Sequence, residues 1–89
     1  MALSQEEIFS QLKQIMATLL KLDSKEIDQI ATLNSKLRND LGIDSVESLD
    51  FLTSIEKLFK IQISDQEAAR LETVLDAIQL ILRKNSVSK

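Results

Sequence analysis

Eighty-nine residues, 44% hydrophobic and 28% charged, suit one small globular domain that needs neither metal nor disulfide to hold its core. A net charge of −3 argues against nucleic acid, which rewards clustered lysine and arginine. Cysteine and histidine are both absent, so the chain offers no thiolate, no thiolate metal site and no imidazole base. It reads as a non-enzyme with no catalytic residue and no metal site, and any thiol chemistry requires a thiol brought by a prosthetic group. No apolar run approaches the roughly 20 residues of a membrane span, and the start lacks the basic and apolar segments of a secretory signal. A cytoplasmic location is the expectation.

There is no proline and one glycine, and the aromatic residues are Phe9, Phe51 and Phe59. Little interrupts helices, and an all-α bundle is expected. Ser4 and Glu7 have the spacing of a capping box for a first helix, with Leu3 and Ile8 at staple positions. Ile8, Leu12, Ile15, Met16 and Leu19 then recur at helical spacing, widened by Phe9 and Leu20. From Lys21 to Ile43 the periodicity fades. A loop of about twenty residues is unusual in a compact domain and tends to be functional or partly structured. Its apolar residues should tack it across the bundle, with a helical turn near 35–39.

The stretch Asp40-Leu41-Gly42-Ile43-Asp44-Ser45 ends this loop. Gly42 permits a tight turn at positive φ. Asp44 can cap a second helix over Ser45 to Phe59, with Glu47 reaching back as the other half of the box. Val46, Leu49, Leu52, Ile55, Leu58 and Phe59 supply its expected apolar stripe. Lys60 to Ile63 should be an extended link. Ser64 and Glu67 open a short third helix through Ala68, Ala69 and Leu71. Thr73 and Asp76 repeat the pattern for a fourth, with Val74, Ala77, Ile78, Ile81 and Leu82 inward. Residues 1–89 form one domain in this reading, ordered over about 4–84, with 85–89 a frayed tail.

Serine is common at helix starts without any function. Here Asp44 already caps, which leaves Ser45 with no structural task and a hydroxyl free for modification. Asp44 and Glu47 gain from the helix dipole, by about 0.3–1 kcal/mol each. Asp50 and Glu56 lie beyond that help, and Glu47 with Asp50 are like charges one turn apart, which costs roughly 0.2–0.5 kcal/mol. A docking surface for basic partners accounts for that cost better than stability does.

The run Asp-Leu-Gly-Ile-Asp-Ser-Val-Glu, with the helix after it and Ile61-Gln62-Ile63-Ser64-Asp65-Gln66-Glu67-Ala68 downstream, resembles the acyl carrier protein family. The likeness spans most of the chain and is strongest from Arg38 to Val74. It implies a four-helix carrier bundle, three longer helices and a short third one, with a long first loop. It implies that Ser45, beside Asp44, carries covalent 4′-phosphopantetheine from coenzyme A, whose thiol holds acyl groups as thioesters. Asp44, Glu47, Asp50 and Glu56 would then form the docking face for a phosphopantetheinyl transferase and for acyl-processing enzymes with basic patches. Leu37, Leu41, Leu52, Ile55, Ile63, Ala68 and Leu71 match positions that line the family's acyl pocket. The resemblance implies a monomer serving fatty acid biosynthesis. A polyketide or aminoacyl carrier and an unmodified helical adaptor are the alternatives, because Lys57, Lys60 and Ser64, where the family commonly has proline, depart from its pattern.

Overall fold

The computed structural model of the protein describes residues 4–87. Helix α1 (Gln5–Leu20) begins at Ser4, whose hydroxyl accepts from the Glu7 N–H while the Glu7 carboxylate accepts from the Ser4 N–H. That backbone hydrogen bond, then the Ser4 hydroxyl, holds the Glu7 pKa below its usual value. The staple residue Leu3 lies outside the described residues. Ile8, Leu12 and Met16 are fully buried, and Phe9, Ile15, Leu19 and Leu20 pack half-buried beside them. The expected core stripe is therefore the observed one.

The long first loop contains a helix of its own, α2 (Ser24–Ile30). Its start is an Asp23–Glu26 capping box, with the Glu26 N–H donating to Asp23 Oδ1 at 2.8 Å. The Asp-x-x-Glu signal is present in the sequence, but seven residues are too short to show an apolar period. A helix this short is not stable alone. It is held against α1 by buried Ile27 and by the Lys13–Asp28 ion pair at 2.8 Å.

Beyond α2 the chain is fastened rather than loose. The buried Ser35 hydroxyl accepts from the Thr32 N–H and donates to the Ile30 carbonyl, both at 2.9 Å. Next, Leu37 N–H donates to Glu72 O (2.8 Å), Val74 N–H to Ser35 O (3.1 Å) and Leu75 N–H to Leu33 O (2.9 Å). These bonds, with an antiparallel bridge between Lys36 and Thr73, clasp the loop to the segment before the last helix. The expected turn near 35–39 is a turn at 36–41, closed by Asp40 N–H to Lys36 O.

Gly42 follows at φ +72, with nothing within 4 Å of where a Cβ would stand. The need for glycine is therefore one of backbone conformation alone. Gly42→Ala is expected to cost about 1–2 kcal/mol, seen as a lower denaturant midpoint with an unchanged slope.

Helix α3 (Ser45–Phe59) has its core side on Phe51, Ile55 and Phe59. The expected stripe through Val46, Leu49 and Leu58 is corrected: these residues are 69%, 66% and 48% exposed. At 3.6 residues per turn, each step of three lags by about 60°. A run from 46 to 58 in threes therefore sweeps round the helix and cannot stay on one face. Steps of four from Phe51 track the core, and burial of that large ring sets the register.

Lys60, in left-handed conformation (φ 57), ends α3, as Lys21 (φ 59) ends α1. Residues 61–63 link α3 to α4 without forming a helix or strand, and Ser64 and Glu67 cap the short α4 (Asp65–Ala69). Helix α5 (Val74–Val87) starts from the Thr73–Asp76 pair. It runs through 85–87, which the sequence reading assigns to the tail. Residues 88–89 lie outside the described residues. Helix α1 packs against α2, α3 and α5, and the buried side chains form one core. The fold is the expected all-α bundle, with five helices among the described residues because the loop carries α2.

Glu67 joins α4 to α5: its Oε1 lies 2.9 Å from Lys84 Nζ and its Oε2 3.8 Å from Arg83 Nη2. The Ser64 N–H, then Lys84, lowers its pKa to about 2 from the ordinary 4.5. A depressed carboxylate contributes stability that is complete above the unfolded value and is lost as pH falls through the folded one. The Glu67 contribution should therefore persist at neutral pH and fade between about 4.5 and 2. In a pH titration of thermal unfolding, Glu67→Gln should flatten that acid limb and leave the slope above pH 5 unchanged.

Candidate functional site

The turn at Gly42 delivers the chain to Asp44, the N-cap of α3. Asp44 Oδ1 accepts from the Glu47 N–H at 2.8 Å, and Glu47 Oε1 accepts from the Asp44 N–H at 3.2 Å. Two carboxylates thus fix the first turn of α3 and place Ser45 at its first helical position. Ser45 is exposed, and its hydroxyl has no hydrogen-bond partner among the described residues. Nothing must be broken for an enzyme to reach it, and the helix N-terminus beside it favours a negatively charged substituent.

A cleft of about 360 Å³ opens beside this turn. Its walls are the 36–39 turn, Ile43, the Ser48–Phe51–Leu52 side of α3, and the segment from Ala68 to Glu72. Ile43 and Ser48, which precede and follow Ser45 in the chain, line it, whereas Ser45 itself does not. Of the seven expected pocket residues, Leu37, Leu52, Ala68 and Leu71 line it. Leu41, Ile55 and Ile63 do not: Leu41 and Ile55 are buried in the core and Ile63 packs half-buried against it. Polar Lys36, Arg38, Asn39 and Glu72 also border the cleft, and sequence periodicity does not single them out.

Among the expected docking acids, Asp44, exposed, and Glu47, half-buried, flank Ser45, and Asp50 is exposed without a hydrogen bond or ion pair. Glu56 has a structural engagement, since its Oε2 accepts from the Ile63 N–H at 2.8 Å. That bond ties the 60–63 link to α3. Val46 and Leu49, which the apolar pattern places in the core, stand in solvent one and four residues after Ser45. The signal that separates them from the core face is the register of Phe51.

Among the described residues no group of three or more carboxylates is placed to hold a metal ion. Nor is any helix long and apolar enough to cross a membrane.

Residues 10–81 match the family described as Phosphopantetheine attachment site. The chain is 37% identical over 79 residues to an acyl carrier protein of Aster yellows witches'-broom phytoplasma, covering 89% of this chain and 99% of that one. It is 33% identical over 79 residues to an acyl carrier protein of Coprothermobacter proteolyticus (89% and 92%), and 35% identical over 79 to one of Lactobacillus acidophilus (89% and 94%). An all-α bundle without cysteine, with a free serine hydroxyl at a capped helix start, agrees with that match across nearly the whole length. The chain belongs to the acyl carrier protein family, whose members are carriers with covalent phosphopantetheine rather than catalysts.

Proposed function

We propose that Ser45 is the residue esterified by 4′-phosphopantetheine, and that the protein presents acyl thioesters to the enzymes of fatty acid synthesis. The observation that carries this is the Ser45 hydroxyl, exposed and without a partner, near a cleft walled by both apolar and polar side chains. The group supplies, when bound, the thiol that the chain lacks. The protein's own residues do the rest. Asp44 and Glu47 hold the first turn of α3, its free N–H groups favour the phosphodiester, and the cleft shelters the start of an acyl chain.

Partner enzymes dock on the exposed end of α3. Asp44, Glu47 and Asp50 offer charge for basic patches, and Val46 and Leu49 offer apolar area. Glu56 belongs less to this surface, because the Ile63 N–H already occupies it. The carrier works as a cytoplasmic monomer, supplying tethering and effective concentration while its partners supply catalysis.

Loading the modified protein with saturated acyl groups of increasing length tests the cargo reading. Each methylene that enters the cleft is worth about 0.8 kcal/mol before the cost of opening it, and binding to the folded state alone raises stability. The melting temperature should therefore rise with chain length until the cleft is full. A melting temperature independent of length would place the cargo outside and leave Leu37, Leu52, Ala68 and Leu71 as wall residues only.

A further inference from the structure

We propose that the contact between Glu67 and Lys84 is a latch that sets how readily α4 lifts from the cleft and admits an acyl group. The inference rests on the reading of the cleft as the cargo site and assigns the control of its entry. Helix α4 lies along one wall through Ala68 and Ala69 and buries none of its five residues. A helix of that length does not persist by its own hydrogen bonds, so its position depends on what ties it down.

Both flanks of α4 are pinned by hydrogen bonds to other parts of the fold, one to a side chain and the others to backbone. Before it, the Ile63 N–H is held by Glu56 Oε2 at 2.8 Å. After it, Glu72 O accepts from Leu37 N–H at 2.8 Å and Val74 N–H donates to Ser35 O at 3.1 Å. Between these anchors, the hydrogen bonds of 64–71 are all local. Among the described residues, its ion pairs to another element are Glu67 with Lys84 at 2.9 Å and with Arg83 at 3.8 Å, both on α5. Leu71 adds a half-buried apolar contact. The segment is thus a flap hinged at both ends and held between them by one cluster of charge together with Leu71. Lifting α4 breaks that cluster but need not break the hinges, so the latch weighs only on the closed state.

Glu67 itself is a poor place to test this, because the same Oε1 accepts from the Ser64 N–H at 3.0 Å and completes the α4 cap. Replacing its partners, as Lys84→Gln with Arg83→Gln, leaves the cap intact. In the unmodified protein, hydrogen exchange of the Ala68, Ala69, Arg70 and Leu71 amides should then speed up by about 1.5- to 5-fold, the range of exposed ion pairs. Exchange in α1 should not change, and Lys84→Arg should restore the parental rate. Added salt should speed these amides in the parent and have little effect in the variant. Unchanged exchange in α4, or an increase shared equally by α1, would overturn the latch.

The same variant, modified on Ser45 and loaded with an octanoyl group, should gain more in melting temperature over its unacylated form than the parent gains. Equal gains would show that the contact does not govern entry, and would overturn the inference while the cleft remains the cargo site. No gain in either protein would overturn the cleft reading itself, whatever the exchange result.

Discussion

Phe51→Ala should lower the stability of the protein by about 3–5 kcal/mol, a large part of the roughly 5–15 kcal/mol available to a small domain. Phe51 is 1% exposed, heads the fully buried side chains by volume, and shares the core face of α3 with Ile55 and Phe59. It also lines the cleft, so its ring lies between core and cleft. Removing it leaves a cavity in the core, and neighbouring side chains can refill that space only in part. Phe51→Leu keeps an apolar filler and should cost far less, about 1–1.5 kcal/mol. Because the smaller side chain deepens the cleft, the acyl length that gives the highest melting temperature should move upward in Phe51→Leu. Urea unfolding of the two variants, followed by the acyl series on the second, measures both effects.

Leu49→Ala combined with Asp50→Lys should slow phosphopantetheinylation by about tenfold or more, with no loss of stability. Neither side chain supports the fold: Leu49 is 66% exposed, and Asp50 makes no hydrogen bond or ion pair among the described residues. Both lie within two turns of Ser45, on the outward side of α3. Truncating a well-placed apolar contact in an interface costs upwards of about 1 kcal/mol, and about 1.4 kcal/mol is a tenfold change. Reversing a rim charge acts mainly on association and vanishes at high salt. The two parts therefore separate: the Asp50→Lys share should disappear in high salt and the Leu49→Ala share should remain. Steady-state kcat/KM with a transferase, read at two ionic strengths beside thermal unfolding, checks this. Parental rates for the double variant at low salt would remove the end of α3 from the docking surface.

Much of this structure is legible in the chain because its helix starts are written in short range. Ser4 with Glu7, Asp44 with Glu47, Ser64 with Glu67 and Thr73 with Asp76 each form the reciprocal pairs that their spacing implies. Such boxes are local and survive whatever the rest of the fold does. Asp23 with Glu26 is the same signal, hidden because α2 owes its stability to contact with α1 and not to a periodic face of its own. The faces of α3 were less legible. Seven apolar residues are spread along it, and only the burial of Phe51 decides which of the others turn inward. Val46 and Leu49 consequently change from core to candidate docking residues. The cleft was half legible. Leu37, Leu52, Ala68 and Leu71 line it, whereas Ile55 follows Phe51 into the core and Leu41 is buried in the loop that is clasped to the 72–75 segment. That clasp is made of backbone hydrogen bonds between distant residues, which no side-chain pattern records.

The most direct test of Ser45 as the point of attachment is the intact mass of the protein after incubation with coenzyme A and a phosphopantetheinyl transferase. The parent should gain one phosphopantetheine group, carried on the peptide that contains Ser45. Ser45→Ala should gain none while keeping the parental helical circular dichroism, since Asp44 and not Ser45 caps α3. A parent that stays unmodified under conditions that load a related carrier, or a Ser45→Ala variant that still gains the mass on Ser48 or elsewhere, would contradict the account.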